Sequence, residues 1–400
     1  MTDMDQILKA GCLSREQTTA LYEELSLSAD NPSILSDLEG CGPVARLEEA
    51  FANLCGTHYA LALSSGTAAI HAALLAAGVG PGDEVIVSPY SWSQSVSPVL
   101  FTGATPIFAD IDEGTLNLHP DSVRHCITGK TRAIIVVHLF GHMADMTNLQ
   151  RISHEAGALM ITDAAHAIGA YLWNKPAGFW GGISCFSLGR GKLVCGGEGG
   201  ILTTNNPDLY ERAVCLTQHK ERVKRLKPAS CRKDTFALNY RLHPIAALLA
   251  LTDLQSLNEK LNHRRRIYQA FWEGLGKQGI LSPQKTICGE IPSYYGIPLT
   301  ADHTIHREAL VATSHDAGIP LRCGPVRMPL HLRLHDAVSP QHSFHPSHLK
   351  GSCPAAEDRC LKKELLALSA LDMDGMAVEV TALMGEKLAR ILMSNHIMSA

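Results

Sequence analysis

The chain has 400 residues, with 35 Lys+Arg against 39 Asp+Glu and a formal net charge of -4. Hydrophobic residues make up 46% and charged residues 18%, enough apolar material for a sizeable core, so a disordered or low-complexity protein is excluded. The near-neutral balance gives no electrostatic case for nucleic acid or an anionic membrane as the main partner.

Taken in chain order, the opening MTDMDQILKAG is too acidic and polar for a signal peptide. Ser14 to Leu27 reads as a capped helix, with Ser14 at the N-cap and Gln17 three residues later. Residues 1–39 are therefore expected to form an N-terminal helical arm. From about residue 58 to 205, short β-branched runs alternate with amphipathic stretches. Tyr59–Leu63, Glu84–Ser88, Thr105–Ala109, Arg132–His138 and Leu159–Thr162 read as strands. An Ala-rich helix runs to about Ala77 and another spans Asn148–Ala156. The most apolar stretch, Tyr59 to Gly80, carries Ser64, Ser65, Thr67 and His71, and it breaks at Gly78, Gly80 and Pro81. A soluble strand, loop and helix explain it better than a membrane span. The βαβ rhythm predicts an α/β fold with a mostly parallel central sheet and helices on both faces.

Pro244 to Leu261 reads as a helix that continues through Arg264-Arg265-Arg266. Beyond it, a strand near Ser293–Leu299, a helix near Arg307–Ala317, a loop-rich stretch from Cys323 to Cys353 and a final helix at Ala377–Leu392 suggest a smaller α+β unit. The expected division is a large α/β domain over 40–255 and a small C-terminal domain over 256–400. Twelve cysteines show no CxxC pair and read as reduced thiols packed as small hydrophobes in a cytoplasmic protein. His331, His335, His342, His345 and His348 invite a metal reading. Pro340 and Pro346 interrupt any continuous helix there, so a solvated loop is preferred and no metal is assigned.

Ligands of such sheets bind beyond the carboxyl ends of the strands. Three of those ends carry polar groups. Ser64-Ser65-Gly66-Thr67 precedes a helix, where exposed N–H groups and hydroxyls suit an anion, although an ordinary N-cap reads the same way. Thr162-Asp163 closes a buried strand, where a carboxylate is either a helix cap or the partner of a buried cation. Ser187-Leu188-Gly189-Arg190-Gly191-Lys192 precedes a Gly-rich run. Its lysine either snorkels to solvent or is desolvated into a nucleophilic amine. Together they fit pyridoxal phosphate: an anion cradle, a counter-ion for the ring nitrogen and an amine for the aldehyde. Trp92 follows another strand and is placed either in the core or against the ring.

These motifs, with GATPIFADID, VVHLFGHMADM, ITDAAHAIGA, CFSLGRGKLVCGGEGG and NYRLHP, resemble the DegT/DnrJ/StrS-type sugar aminotransferases, a fold-type I family that uses pyridoxal 5'-phosphate. The resemblance runs from about residue 40 onward. It implies that Lys192 forms the Schiff base (the internal aldimine) and that Asp163 pairs with the pyridine nitrogen. It also implies that Gly66, Thr67 and Ser187 hold the phosphate and that Trp92 stacks on the ring. Asn239 matches the residue that reaches the neighbouring subunit's phosphate, which implies a homodimer with shared active sites. His166 stands where the family often has glutamine near the ring hydroxyl, and an imidazole there titrates near neutral pH. The implied reaction passes an amino group from L-glutamate or L-glutamine, through pyridoxamine phosphate, to a keto-sugar or keto-cyclitol. Arg241, Arg322 and His331 are candidate acceptor contacts. The alternatives are a dehydrating or aromatising enzyme of the same fold and a catalytically silent regulator.

Overall fold

A computed structural model describes residues 15–27, 36–227, 236–337 and 345–394. Among them, seven strands build the central sheet: β1 (Tyr59–Leu63), β2 (Glu84–Val87), β3 (Thr105–Phe108), β4 (Thr131–Val137), β5 (Leu159–Asp163), β6 (Ile183–Ser187) and β7 (Gly200–Thr204). Their order is β1-β7-β6-β5-β4-β2-β3. β7 runs antiparallel to both neighbours, and the other six strands run in one direction. Both faces are covered, which is why the strands read as unbroken apolar runs rather than alternating ones.

Successive side chains serve opposite faces. Ala60 and Ala62 of β1 join one core with α2 (Gly42–Cys55), α4 (Met146–Glu155) and α6 (Pro244–Gln255). Leu61 and Leu63 join the other, with α3 (Gly66–Ala76) and α5 (Pro207–Thr217). The N-terminal helix α1 (Arg15–Leu27) lies against α6, where Gln17 Nε2 donates to Leu249 O at 3.4 Å. The proposed cap Ser14 lies outside the described residues. The long helix expected from Pro244 onward is broken: Ser256 separates α6 from α7 (Leu257–Leu275).

A second, antiparallel sheet contains β8 (Leu281–Pro283), β9 (Gly296–Ala301), β10 (Arg322–Cys323) and β11 (Glu364–Ser369) in the order β8-β9-β11-β10. It packs against α7, α8 (Arg307–Asp316) and α9 (Val378–Leu392) through Phe271, Leu299, Leu310, Leu365 and Leu388.

The described parts of the stretch read as a solvated loop behave otherwise. Leu330–Ala337 is helical, and Val326, Leu330, Cys353 and Ala356 join the core that includes Phe108. His331 and His348 are buried. His331 Nε2 lies 3.0 Å from Glu357 Oε1, and His348 Nε2 donates to Pro106 O at 2.8 Å. His342 and the side chain of His335 lie outside the described residues. Among those residues no His/Cys/Asp/Glu group is arranged to hold a metal, and no helix is long and apolar enough to cross a membrane. Nine of the described cysteines are free, but Cys215 is disulfide-bonded, which corrects the reading of twelve reduced thiols.

One buried ion pair anchors the sheet's β1 edge. Arg222 Nη2 donates to both Glu48 oxygens, at 2.9 and 2.8 Å, and Glu48 Oε1 also accepts from the Ala62 N–H. Removing one member strands the other charge in the core. Arg222→Met is expected to cost about 3–5 kcal/mol, read as a lower urea midpoint at unchanged slope. A midpoint equal to the parent's would refute this role for the pair.

Candidate active site

The carboxyl ends of β1, β2, β4, β5 and β6 converge on one cavity of about 340 Å³. Its wall holds Gly66 and Thr67 after β1, Trp92 and Ser95 after β2, Asp163 and His166 after β5, and Ser187 and Lys192 after β6. The seven residues expected to bind the cofactor within one chain therefore meet in one place.

The β1 end opens into the N-terminus of α3. Ser65 caps that helix, its Oγ accepting from Ala68 N at 3.0 Å. The cap reading and the anion reading are thus compatible: Ser65 satisfies one N–H, and the first turn still presents its positive end to the cavity. Ser187 faces it from β6. A Cβ on Gly66 would meet Ser187 Cβ at 2.9 Å and Cα at 3.3 Å. Gly66→Ala must push the helix terminus away from the serine. It is expected to weaken pyridoxal phosphate binding roughly ten- to a hundredfold, measured by titrating cofactor into cofactor-free protein. Unchanged affinity would show that the close approach is incidental.

Asp163 is 8% exposed. Its Oδ2 accepts from Ser95 Oγ at 2.6 Å and its Oδ1 from Ala165 N at 3.1 Å. Ser95 Oγ also lies 2.9 Å from Ser91 Oγ. With Ser95 donating to the carboxylate, Ser91 donates to Ser95, so a hydroxyl relay fixes the acid's rotamer. A buried, oriented carboxylate facing a cavity fits a protonated ring nitrogen.

Lys192 stands on the loop after β6. Burial pushes its amine down from 10.5 to about 8, Asp163 pulls it back up, and the Arg264 guanidinium adds to the depression. Its Nζ lies 4.4 Å from the centre of the Tyr295 ring. On that ring stacks His166, centroids 3.8 Å apart and planes 9° from parallel. Trp92 meets His166 edge-on at 4.7 Å.

His166 Nδ1 accepts from the Phe140 N–H at 3.3 Å. Assigned from that bond, the neutral ring carries its proton on Nε2. Burial, reinforced by Lys192 and Arg264, pushes its pKa well below the usual value. The imidazole is therefore a fixed neutral group rather than one that titrates near neutral pH, as the residue type alone suggested.

Two strained peptides hold this stack. Phe140 and Tyr294 both have φ of 53°, the left-handed region that side chains with a Cβ seldom enter. Tyr295 N donates to Phe140 O at 2.8 Å, and Ser293 Oγ donates to His166 O at 2.7 Å.

Four candidates stand off the cavity wall of the single chain. Asn239 is exposed and accepts from Arg241 Nε at 2.7 Å. Arg241 also donates to Asp37 O, and Arg322 is paired with Asp372. His331 faces Glu357 in the core. Both arginines have nearer acceptors than the cavity supplies, and burial keeps His331 from it. Conversely, Tyr295, Ser95 and Gln94 line the cavity without having been singled out by sequence. Ser95 and Gln94 sit within three residues of Trp92, and that proximity was their one available signal.

The sequence model of the DegT/DnrJ/EryC1/StrS aminotransferase family matches residues 39–358. The chain is 34% identical over 295 residues to a GDP-perosamine synthase of Caulobacter vibrioides, covering 72% of this chain and 77% of that protein. It is 30% identical over 320 residues to a GDP-perosamine synthase of Vibrio cholerae, covering 77% and 84%. Among solved structures, an aminotransferase from Psychrobacter cryohalolentis superposes with a TM-score of 0.81 at 23% identity, covering 96% and 98% of the two chains. A 3-amino-5-hydroxybenzoic acid synthase superposes with a TM-score of 0.80 at 26% identity, covering 94% and 97%.

Proposed function

Because this chain belongs to the DegT/DnrJ/EryC1/StrS aminotransferase family, whose members use pyridoxal phosphate, we propose that it moves an amino group from L-glutamate or L-glutamine onto a keto-sugar, with Lys192 as the amine that carries the cofactor. The observation that carries this reading is a half-buried lysine of depressed basicity sharing one cavity with Asp163 and an anion cradle. A keto-cyclitol is the alternative acceptor. The GDP-perosamine synthases among the relatives favour the sugar.

When bound, pyridoxal phosphate supplies a sink for the electron pair left on the donor's Cα. The residues do the rest. The α3 N-terminus with Thr67 and Ser187 holds the phosphate. Asp163 keeps a proton on the ring nitrogen. His166 offers Nε2–H to the ring hydroxyl. With the cofactor bound, the Lys192 amine would be the base that takes up and moves the proton of the donor's Cα. Phe236 and Leu238, both exposed, precede Asn239. That apolar edge supports a homodimer in which Asn239 completes the partner's site. The shared presence of Lys192 and Asp163 argues against a silent regulator. A dehydrating or aromatising enzyme would keep the cofactor but would not exchange amines.

Visible absorption of the purified protein tests this reading, before and after adding each donor separately. A yellow band bleached by L-glutamate or L-glutamine is expected. A band that neither donor bleaches would point to the dehydrating alternative, and failure to take up any cofactor would sink the reading. Covalent capture of pyridoxal phosphate needs the neutral amine. Its rate is therefore expected to rise with pH and to level off above about 8. His166, already neutral, adds no inflection between pH 6 and 7. A profile flat across pH 8 would contradict this assignment of Lys192.

A further inference from the structure

We propose that the Tyr295 ring is the seat on which the Lys192 ammonium group rests whenever it is free of the cofactor, with His166 bracing the ring from behind. The proposal rests on the reading of Lys192 as the cofactor-carrying amine and assigns a positioning role to a residue outside the recognised motifs.

The geometry supports it at three points. His166 covers one face of the phenol ring at 3.8 Å, nearly parallel. The Lys192 Nζ lies 4.4 Å from the same centroid, nearer than the Arg264 guanidinium carbon at 5.9 Å. An ammonium over an aromatic face is held by the ring quadrupole, most strongly where water is kept away. The ring itself cannot drift. Its backbone N–H is tied to Phe140 O, Ser293 is tied to both Gly141 and His166, and the strained Phe140 and Tyr294 peptides allow few other arrangements.

The charged surroundings explain why a neutral seat is needed. Asp163 faces Lys192 from the end of β5, but its carboxylate is committed to Ser95 and Ala165. Arg264 approaches from α7, with its guanidinium carbon 5.9 Å from the Tyr295 centroid, and repels the ammonium. Asp374 binds Arg264 through both Nε and Nη2 at 2.6 Å, which tempers that repulsion. Glu198 borders the cavity at its exposed edge. Beneath the loop, Lys260 donates to Leu193 O and pairs with Asp253. A carboxylate in the place of Tyr295 would trap the amine as a tight ion pair. A π face holds it while leaving it easy to deprotonate, which suits a group that must give up and take back a proton in each cycle.

The test is the pH midpoint for capture of pyridoxal phosphate by the cofactor-free full-length protein. Tyr295→Phe keeps the ring and is expected to keep the wild-type midpoint. Tyr295→Leu removes the π face and should lower the midpoint by about 0.4–1.5 pH units, because the charged amine loses its support. Incorporating pentafluorophenylalanine at position 295 keeps the ring's shape while withdrawing its negative face. The midpoint should then fall below that of Tyr295→Phe, even if Tyr295→Leu fails to fold. A fluorinated variant with the midpoint of Tyr295→Phe, or a midpoint that rises, overturns the seat and leaves the transaminase reading intact. Wild-type protein that captures no cofactor at any pH overturns both.

Discussion

Lys192→Ala is expected to abolish covalent capture of pyridoxal phosphate and to reduce transamination by about 10⁴-fold. Two functions fail together, because the same amine attaches the cofactor and moves the proton at Cα. The fold should not suffer. The loop is held by backbone bonds, including Lys192 N to Gly189 O at 3.2 Å, which alanine retains. A desolvated amine is also a burden on stability rather than a support, as its depressed pKa indicates. The variant should therefore melt at or above the wild-type temperature while staying colourless with added cofactor. Transamination retained at a wild-type rate would end the assignment. A large drop in melting temperature would instead assign Lys192 a structural role.

Asp163→Asn should separate the two functions. The amide matches the carboxylate in shape but cannot hold a proton on the ring nitrogen. Ser95, which donates to Oδ2 at 2.6 Å, can still donate to the amide oxygen. Cofactor should still bind and colour the protein, while turnover falls by roughly 10³-fold, the scale of a lost charge-stabilising group in a site screened from water. Exchange of the donor's Cα hydrogen with solvent deuterium isolates the step: it should slow in parallel with turnover. Undiminished exchange would mean that the ring nitrogen does not need Asp163.

Most of the sheet was legible because a doubly covered parallel strand is a plain apolar run, as in Arg132–Val137, and because each run ends at a small or polar residue. Asp163 and Lys192 drew notice as polar groups at or after the ends of such runs, each with an ordinary structural reading beside the functional one, and Ser187 entered through the family resemblance; the structure brings all three to one cavity. Tyr295 was not. It lies beyond a helix of 19 residues, in a segment whose conformation depends on a left-handed Tyr294 and on hydrogen bonds to residues 140 and 166. No local pattern encodes that meeting. Ser95 sits in a serine-rich turn where sequence cannot tell the one that reaches Asp163 from its neighbours. Arg241, Arg322 and His331 were chosen by residue type, and each proved to have a nearer partner. The break at Ser256 carried no warning either, since serine is an ordinary resident of a helix surface.

The cover that residues 326–337 and 345–360 provide for the β2–β3 edge has a consequence for biogenesis. Ala355 and Ala356 N–H groups bind the Asp110 carboxylate across 245 and 246 residues, and the Tyr90 hydroxyl binds Glu364 across 274. At ribosomal speeds roughly 10–50 s pass between the emergence of the first partner and the second. During that interval the apolar face around Phe108 has nothing to close over it. The nascent chain is a sticky half-sheet awaiting its lid, and such long-range closure is slow even after synthesis ends. Holdase chaperones should therefore engage ribosome-bound chains stalled before residue 355, and release those extended past Glu364.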